Sequence, residues 1–188
     1  MLFMRGSSVR FASLILLVLL SGATGTARQP SPVAPQLQRA IALFEGTWTI
    51  SETYPASPDY PAGAAGTGTA TWRRGPDGKS LFHEYHAAIG GKSVDGYGAF
   101  WWDAKENRIR EVWCMTGLPD GCTVSTTDIR WRGSDLVLTE SYENNGQQRR
   151  TEEIFSDISA TSYRQTIKDG LATGELKPYL VAKATRQK

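Results

Sequence analysis

The sequence predicts an all-β protein: a closed antiparallel barrel of about ten strands with one short helix before the first strand. Between Phe44 and Ala184, short segments of alternating apolar and polar residues follow one another at intervals of roughly 8 to 12 residues. Tight turns such as Asn144-Asn145-Gly146 separate them, and no long amphipathic helix interrupts the series. Even spacing with tight turns is typical of antiparallel barrels and sandwiches.

Residues 1–27 are predicted to be a secretory signal peptide. Arg5 and Arg10 give a positive start, an apolar run follows at residues 11–20, and small residues lead to a cleavage site after Ala27 or, as second choice, Ala23. A membrane span needs roughly 20 apolar residues, about twice this run. We therefore expect cleavage, no stable membrane span afterwards, and a periplasmic or secreted protein.

The charge that remains after cleavage argues against a nucleic-acid partner. Residues 1–27 contain two of the 21 basic residues and no acidic residue, so the remaining 19 basic residues equal the 19 acidic ones. A protein that neutralises phosphates needs a surplus of cations on its binding face. The sequence offers no such surplus.

The remaining residues are predicted to form a Pro-rich leader at 28–35 and a single barrel domain at 36–188. Leu37, Ile41 and Phe44 form one apolar stripe on a short helix at residues 36–43, which is too brief to stand alone and should pack on one end of the barrel. The predicted strands are 47–54, 67–74, 80–88, 93–103, 108–116, 123–132, 136–143, 147–155, 163–168 and 175–184.

Cys114 and Cys122 are the only cysteines. They flank a turn at Leu118-Pro119-Asp120-Gly121, so they should face each other across a hairpin. In an oxidising compartment such a pair is expected to form a disulfide. The spacing does not fit a metal site or a redox motif.

Four strands have one face that is apolar at one end and polar at the other, because strand side chains alternate between two faces. These faces are Trp48, Ile50, Glu52 and Tyr54; Ile109, Glu111, Trp113 and Met115; Leu136, Leu138, Glu140 and Tyr142; and Phe155, Glu153, Thr151 and Arg149. If they face inward, the barrel has an apolar base and a polar upper half. The alternative places these charges on the solvated outside. For residues 123–132 the sequence leaves the inward face open.

Buried carboxylates are costly unless they are paired or hydrogen-bonded, and a cavity that holds water and a ligand would meet that need. We therefore predict that the interior binds a small, partly apolar molecule with a polar group. The residues predicted to orient it are Glu111, Arg130, Glu140, Tyr142 and Arg149, and those predicted to form apolar walls are Tyr85, Trp102 and Trp113.

Two alternatives remain open for the interior. The first is an enzyme that transfers protons through Glu111 and Glu140, or through His83 with Tyr85 and Glu111. The second is a scaffold whose interior is packed shut. No metal or cofactor is predicted: His83 and His86 lie three apart on a strand and point to opposite faces. Haem bound axially by His83 is retained as a minor alternative.

Several short motifs resemble known families. Gly46-x-Trp48 after a short helix resembles the opening of lipocalins and calycins, in which the Trp closes the barrel base. From Leu43 to Lys168 the chain resembles the family called domain of unknown function 1579. The matching motifs are Gly90-Gly91-Lys92 after Glu84-Tyr85, Asp95-Gly96-Tyr97-Gly98 leading into Trp101-Trp102-Asp103, a strand with Trp113, and Leu136-Val137-Leu138-Thr139-Glu140 before an Asn-Gly turn and Arg149-Arg150.

This resemblance implies an exported, calycin-like barrel and no established activity. The chain departs from the family in the Pro-rich segment after Tyr54, in its Cys pair, and in Trp101-Trp102, where the family usually has Gly-Tyr. These differences concern the mouth of the barrel.

Overall fold

A computed structural model describes residues 35–58, 60–76, 78–118 and 121–188. The predicted signal peptide lies outside these residues, and so does the predicted leader except for Pro35. Helix α1 spans Pro35–Phe44 and begins one residue earlier than predicted. Proline suits the first turn of a helix, because the N–H that it lacks would have no partner inside the helix.

Ten strands follow, as the sequence predicts. They are β1 Gly46–Tyr54, β2 Ala64–Arg74, β3 Ser80–Ile89, β4 Lys92–Asp103, β5 Arg108–Met115, β6 Cys122–Arg132, β7 Asp135–Asn144, β8 Gln147–Ser156, β9 Ser162–Leu171 and β10 Lys177–Arg186. The bounds differ from the predicted ones by a few residues, chiefly because β2 begins earlier and β9 ends later than its turn residues suggest.

Each strand pairs antiparallel with its neighbours in sequence, and β1 pairs with β10 to close the barrel. Trp48 marks the closure: it lies opposite Ala70 of β2 and Arg186 of β10. A closed barrel leaves no strand edge unpaired. The predicted fold class is confirmed.

Helix α1 covers one end of the barrel, which we call the base. Leu37 and Ile41 are fully buried there, and the Phe44 ring lies 4.6 Å from that of Phe155 and 5.2 Å from that of Trp72, centre to centre. The cavity left among these side chains is about 10 Å³. A single water needs at least about that much space, so the base is packed shut.

Trp48 and Arg186 join the two closing strands to the helix. The Trp48 side chain is fully buried, and its Nε1 donates a hydrogen bond to the Phe44 carbonyl at 2.8 Å. The Arg186 guanidinium lies 4.1 Å from the centre of the Trp48 ring and donates to the carbonyls of Leu43, Glu45 and Ala160. The bonds to Leu43 and Glu45 satisfy carbonyls at and just after the helix end that have no partner within the helix, and the bond to Ala160 holds the connection between β8 and β9.

Gly46 permits this closure. Its φ is +134°, and a Cβ atom there would lie 2.5 Å from an Arg186 guanidinium nitrogen. A side chain would therefore clash with Arg186 and strain the backbone. The glycine of the Gly-x-Trp motif is therefore needed where β1 begins beside Arg186.

Cys114 and Cys122 form the predicted disulfide across β5 and β6, where they lie directly opposite each other with 3.9 Å between their Cα atoms. Within the described residues, no helix is long and apolar enough to cross a membrane.

Removing the disulfide should destabilise the protein. The bond closes a short loop, since the two cysteines are eight residues apart. Loop-closure entropy predicts that the double substitution Cys114→Ser, Cys122→Ser lowers the free energy of unfolding by about 2–3 kcal/mol. Urea denaturation under oxidising conditions measures this loss. A reductant should weaken the unmodified protein by a similar amount and leave the double variant unchanged; an equal effect of reductant on both would contradict the prediction.

Candidate functional site

The four strand faces predicted to point inward do so. Trp48, Ile50, Glu52 and Tyr54 are buried on β1, as are Ile109 and Glu111 on β5. The interior is therefore apolar at the base and polar in the upper half. β2 lines it with small residues, which leave room for the larger side chains opposite.

Strand β6 turns Ser125, Thr127 and Ile129 inward, which settles the face that the sequence left open. Arg130 lies on the other face. Its side chain is 62% exposed and pairs with Asp128 at 2.5 Å on the outer surface. The prediction that Arg130 orients an interior ligand is therefore wrong, because alternation along β6 carries Arg130 outward once Ile129 joins the core.

Three carboxyl groups meet in the upper interior: Glu111 of β5, Glu140 of β7 and Glu153 of β8. Glu111 is 5% exposed, accepts a hydrogen bond from the Thr127 hydroxyl at 3.0 Å and lies close to Glu140. Glu153 accepts a hydrogen bond from the Gln165 amide. No ion pair within the described residues involves these three carboxyls. We call them the interior acid cluster.

Burial dominates the electrostatics of the interior acid cluster. It raises the pKa of Glu111 well above its usual range, and the nearby charge of Glu140 adds to this. It likewise raises the pKa of Glu140, and it raises that of Glu153 to about 8. Desolvation disfavours the charged form of a carboxyl group, so these groups retain protons that an exposed glutamate has lost.

A further buried carboxyl group, Glu52, lies apart from this cluster beside two tyrosines. It is 4% exposed and accepts hydrogen bonds from the Tyr85 hydroxyl at 2.8 Å and the Tyr54 hydroxyl at 3.1 Å. Burial raises the pKa of Glu52 and of both tyrosines. Tyr60, from the connection between β1 and β2, packs on Tyr54 with 5.0 Å between ring centres. This connection lies at the barrel end opposite the base.

Solvent reaches the interior beside β8 and β9. Arg149 and Asp169 form an ion pair there, and although they face inward their side chains are 26% and 23% exposed. The Tyr142 hydroxyl donates to Asp169 at 3.0 Å, and Thr151 lies within 3.4 Å of the same carboxylate. Burial raises the pKa of Tyr142. These groups form a polar rim at the opening.

Aromatic side chains line the wall on the opposite side. The Trp113 ring lies against Gly96 and Gly98 of β4, where a Cβ atom would approach it within 2.5 and 2.7 Å. Its ring centre is 5.1 Å from His83 and 6.3 Å from Tyr85. Trp102 is half-buried and packs against the core further down β4. The glycines thus make space for a flat indole.

His83 is buried between two indoles. The Trp72 ring stacks on it at 3.7 Å, and its Nε2 has no hydrogen-bond partner among the described residues. Burial lowers the pKa of His83 to about 3, so the imidazole is neutral. Haem would need open space beside Nε2, and this atom is enclosed. His86 points outward and pairs with Asp95 at 2.8 Å.

The described residues contain no group of three or more His, Cys, Asp or Glu side chains arranged to hold a metal ion. The polar residues brought together are the predicted Glu111, Glu140, Tyr142 and Arg149, with Glu153, Thr127, Gln165 and Asp169 added. Sequence reasoning placed Glu153 on an inward face without selecting it. Asp169 was missed because it was assigned to a turn, whereas β9 continues to Leu171.

Fold and interior together define a calycin-like protein: a closed ten-stranded barrel with a packed base and a polar upper interior. Comparison with solved structures supports this class. The chain is similar to Rv2717c from M. tuberculosis, with a TM-score of 0.56 and 14% identity over 84% of this chain and 100% of that one. It is also similar to the S-type phycobiliprotein lyase CPES from Guillardia theta, with a TM-score of 0.50 and 10% identity over 81% and 93%.

A redesigned β-barrel, mFAP1, bound to DFHBI, also matches, with a TM-score of 0.41 and 17% identity over 79% of this chain and 99% of that one. No family model matches the sequence, and no curated protein matches it. Membership in the domain of unknown function 1579 family therefore remains a prediction.

Proposed function

We propose that the protein binds a small, partly apolar molecule in the upper half of the barrel, with a basic nitrogen of that molecule against the interior acid cluster. The observation that carries this proposal is the cluster itself. Glu111, Glu140 and Glu153 lie together in the interior, and no cation among the described residues neutralises them. A ligand-binding function would explain why three carboxyl groups are buried despite the energetic cost of their burial.

Energetics favour a basic guest. A buried carboxylate without a partner costs several kcal/mol, and apolar side chains of similar volume would avoid that cost. A protonated amine would supply the missing charge and donate hydrogen bonds to two or three of the carboxyl groups. Trp113 and Tyr85 offer flat apolar surfaces for the remainder of the molecule.

The packing supports this location for the proposed site. The base has no room for a guest, whereas solvent reaches Arg149, Asp169 and Glu140 in the upper half. A molecule that enters past the polar rim meets the carboxyl groups below it and the indole of Trp113 beside it. Tyr142 and Arg149 are in position to contact its outer end.

Binding can be tested with tryptamine and its neutral analogue tryptophol. We expect tryptamine to bind more tightly, and we expect Glu111→Gln and Glu140→Gln each to weaken it by about 10- to 100-fold, because each removes a carboxyl group that can ionise and pair with the ammonium group. Isothermal titration calorimetry measures the affinities. Native mass spectrometry of the purified protein would reveal a guest retained from the host.

Glu143→Gln is the matched control, since Glu143 is an exposed glutamate on the same strand as Glu140. It should leave tryptamine binding unchanged. Equal binding of tryptamine and tryptophol, or equal losses in all three variants, would refute the proposed site. Retention of a guest without a basic nitrogen would refute the choice of ligand and keep the interior site.

Proton transfer is a second candidate function, favoured by one observation. Glu111 and Glu140 lie close together in the interior, and burial raises the pKa of both, so the pair loses its protons in two steps at higher pH than exposed glutamates do. Such a pair suits general acid–base chemistry near neutral pH. Turnover of a bound guest that is lost in Glu140→Gln, with the guest still bound, would favour this function over simple binding.

Export and family membership complete the proposal. The signal-like residues 1–27 and the Cys114–Cys122 disulfide support a periplasmic or secreted location. The calycin-like barrel supports membership in the domain of unknown function 1579 family.

A further inference from the structure

The outer surface of the barrel carries a groove of about 410 Å³ along β6, β7 and β8. Most of its lining residues alternate with inward-facing ones: Arg130 follows Ile129, and Val137 and Thr139 flank Leu138. The groove is therefore separate from the interior site, with the strands themselves between the two. We call it the outer groove.

Positive charge dominates the outer groove. Arg130, Arg132 and Arg150 line it, against the single carboxylate of Glu152. Asp128 neutralises Arg130, while Glu152 lies 3.8 Å from Arg132 and 3.7 Å from Lys168 and so balances only one of them. Arg150 has no ion pair within the described residues. Three arginines in the lining thus face one carboxylate, and with the neighbouring Lys168 and Asp128 included, four cations face two carboxylates.

The polar groups in the lining are mainly hydrogen-bond donors. Arginine side chains only donate, and a guanidinium matches the geometry of carboxylate and phosphate oxygens. Trp131 also borders the groove, but its ring packs against the core and its indole Nε1 is buried. An acceptor-rich ligand would complement the arginine donors.

Part of the groove is apolar. Val137 faces outward but is only 3% exposed, so surrounding side chains cover it. Leu176, from the connection between β9 and β10, lies near Gly170 and supplies the apolar surface that remains accessible. By register, Arg130 lies opposite Val137 and Arg150 opposite Ser141, four residues further along β7. The two arginines are thus about 13 Å apart along the strands.

We propose that the outer groove binds an organic anion, whose carboxylate or phosphate group contacts Arg150 and Arg132 and whose apolar segment lies on Leu176. The charge surplus, the unpaired Arg150 and the partly exposed Leu176 each point to this class of ligand. A metal cation or a basic molecule would meet repulsion here.

Calorimetric titration with octanoate, octyl phosphate, inorganic phosphate and octanol tests whether the outer groove binds organic anions. We expect at least one of the two amphiphilic anions to bind, and octanol to bind at least about tenfold more weakly. Arg150→Gln should weaken that anion by about 10- to 100-fold, and Leu176→Asp, which places a negative charge in the connection, should do the same. Binding of inorganic phosphate would identify a phosphate head group; binding of octanoate alone would identify a carboxylate.

Two control variants distinguish anion binding in the outer groove from binding elsewhere on the protein. Arg73→Gln removes an exposed arginine from β2, and Glu111→Gln changes the interior acid cluster; both should leave anion binding unchanged. The proposal is overturned if neither amphiphilic anion binds at millimolar concentration. It is also overturned if Arg150→Gln binds as tightly as the unmodified protein, or if Glu111→Gln alone abolishes binding, since the anion would then occupy the interior.

Discussion

Replacement of Trp48 by alanine is expected to lower the free energy of unfolding by about 3–5 kcal/mol. The Trp48 side chain is fully buried, packs on Tyr163 with 4.8 Å between ring centres, and donates its indole N–H to the Phe44 carbonyl. Its loss leaves a cavity beside the helix and removes the ring on which Arg186 stacks. Strands β1 and β10 lose a contact that closes the barrel.

Urea denaturation followed by circular dichroism measures this effect. Tyr97→Ala is the matched control, because Tyr97 is a large aromatic residue on the outside of β4 with 54% of its surface exposed. It should change the free energy of unfolding by less than about 1 kcal/mol. If Trp48→Ala cost no more than this control, the closure described for the barrel would be wrong.

Stability is expected to fall as the pH rises from about 4.5 to about 8, and Glu153 is the main cause. Burial raises the pKa of Glu153 to about 8 in the folded protein, against an ordinary value of 4.5. The folded state therefore binds more protons than the unfolded state within this range. The stabilisation is fully present below pH 4.5 and is lost as the pH rises through 8, with a change on the order of a few kcal/mol.

Glu111 and Glu140 act in the same direction, because burial raises their pKa values too. Free energies of unfolding measured in urea between pH 5 and 9 should therefore decline, and Glu153→Gln should flatten the decline. Glu143→Gln, an exposed change on β7, should leave the slope as it is. A stability that rises over this range would show that the carboxylates are ionised and paired in the folded protein.

A basic guest in the interior would reverse part of this dependence. It would supply a positive charge to the ionised carboxyl groups and so stabilise the folded state at high pH. The pH profile with and without tryptamine is thus an independent check on the proposed interior site.

The course of the chain around the barrel could be predicted because its signals are local. Alternation along β1 is strong, and turns such as Asn144-Asn145-Gly146 mark where strands end. Gly46 and Trp48 likewise indicated where the barrel begins. Such features depend on residues close together in the chain, so a single sequence reveals them.

Strand β6 shows where local signals fail. Its inward face begins with the polar Thr123, Ser125 and Thr127, while the apolar Val124 lies on the other face, so neither face of the strand stands out over its first half. Pairing with β5 and β7 sets the register, which places Thr127 opposite Ile109 on one side and Glu140 on the other. That register turned Arg130 outward and made it part of the outer groove.

Residue order alone determined the all-β class, the ten strands, the covering helix and the Cys pair, because each follows from periodicity, turn residues or spacing along the chain. Tertiary structure decided which carboxyl groups meet. Glu111, Glu140 and Glu153 come from three strands, and their pKa values depend on shared burial rather than on sequence neighbours. The outer groove arose the same way, since its arginines lie on two strands and Leu176 on a later connection.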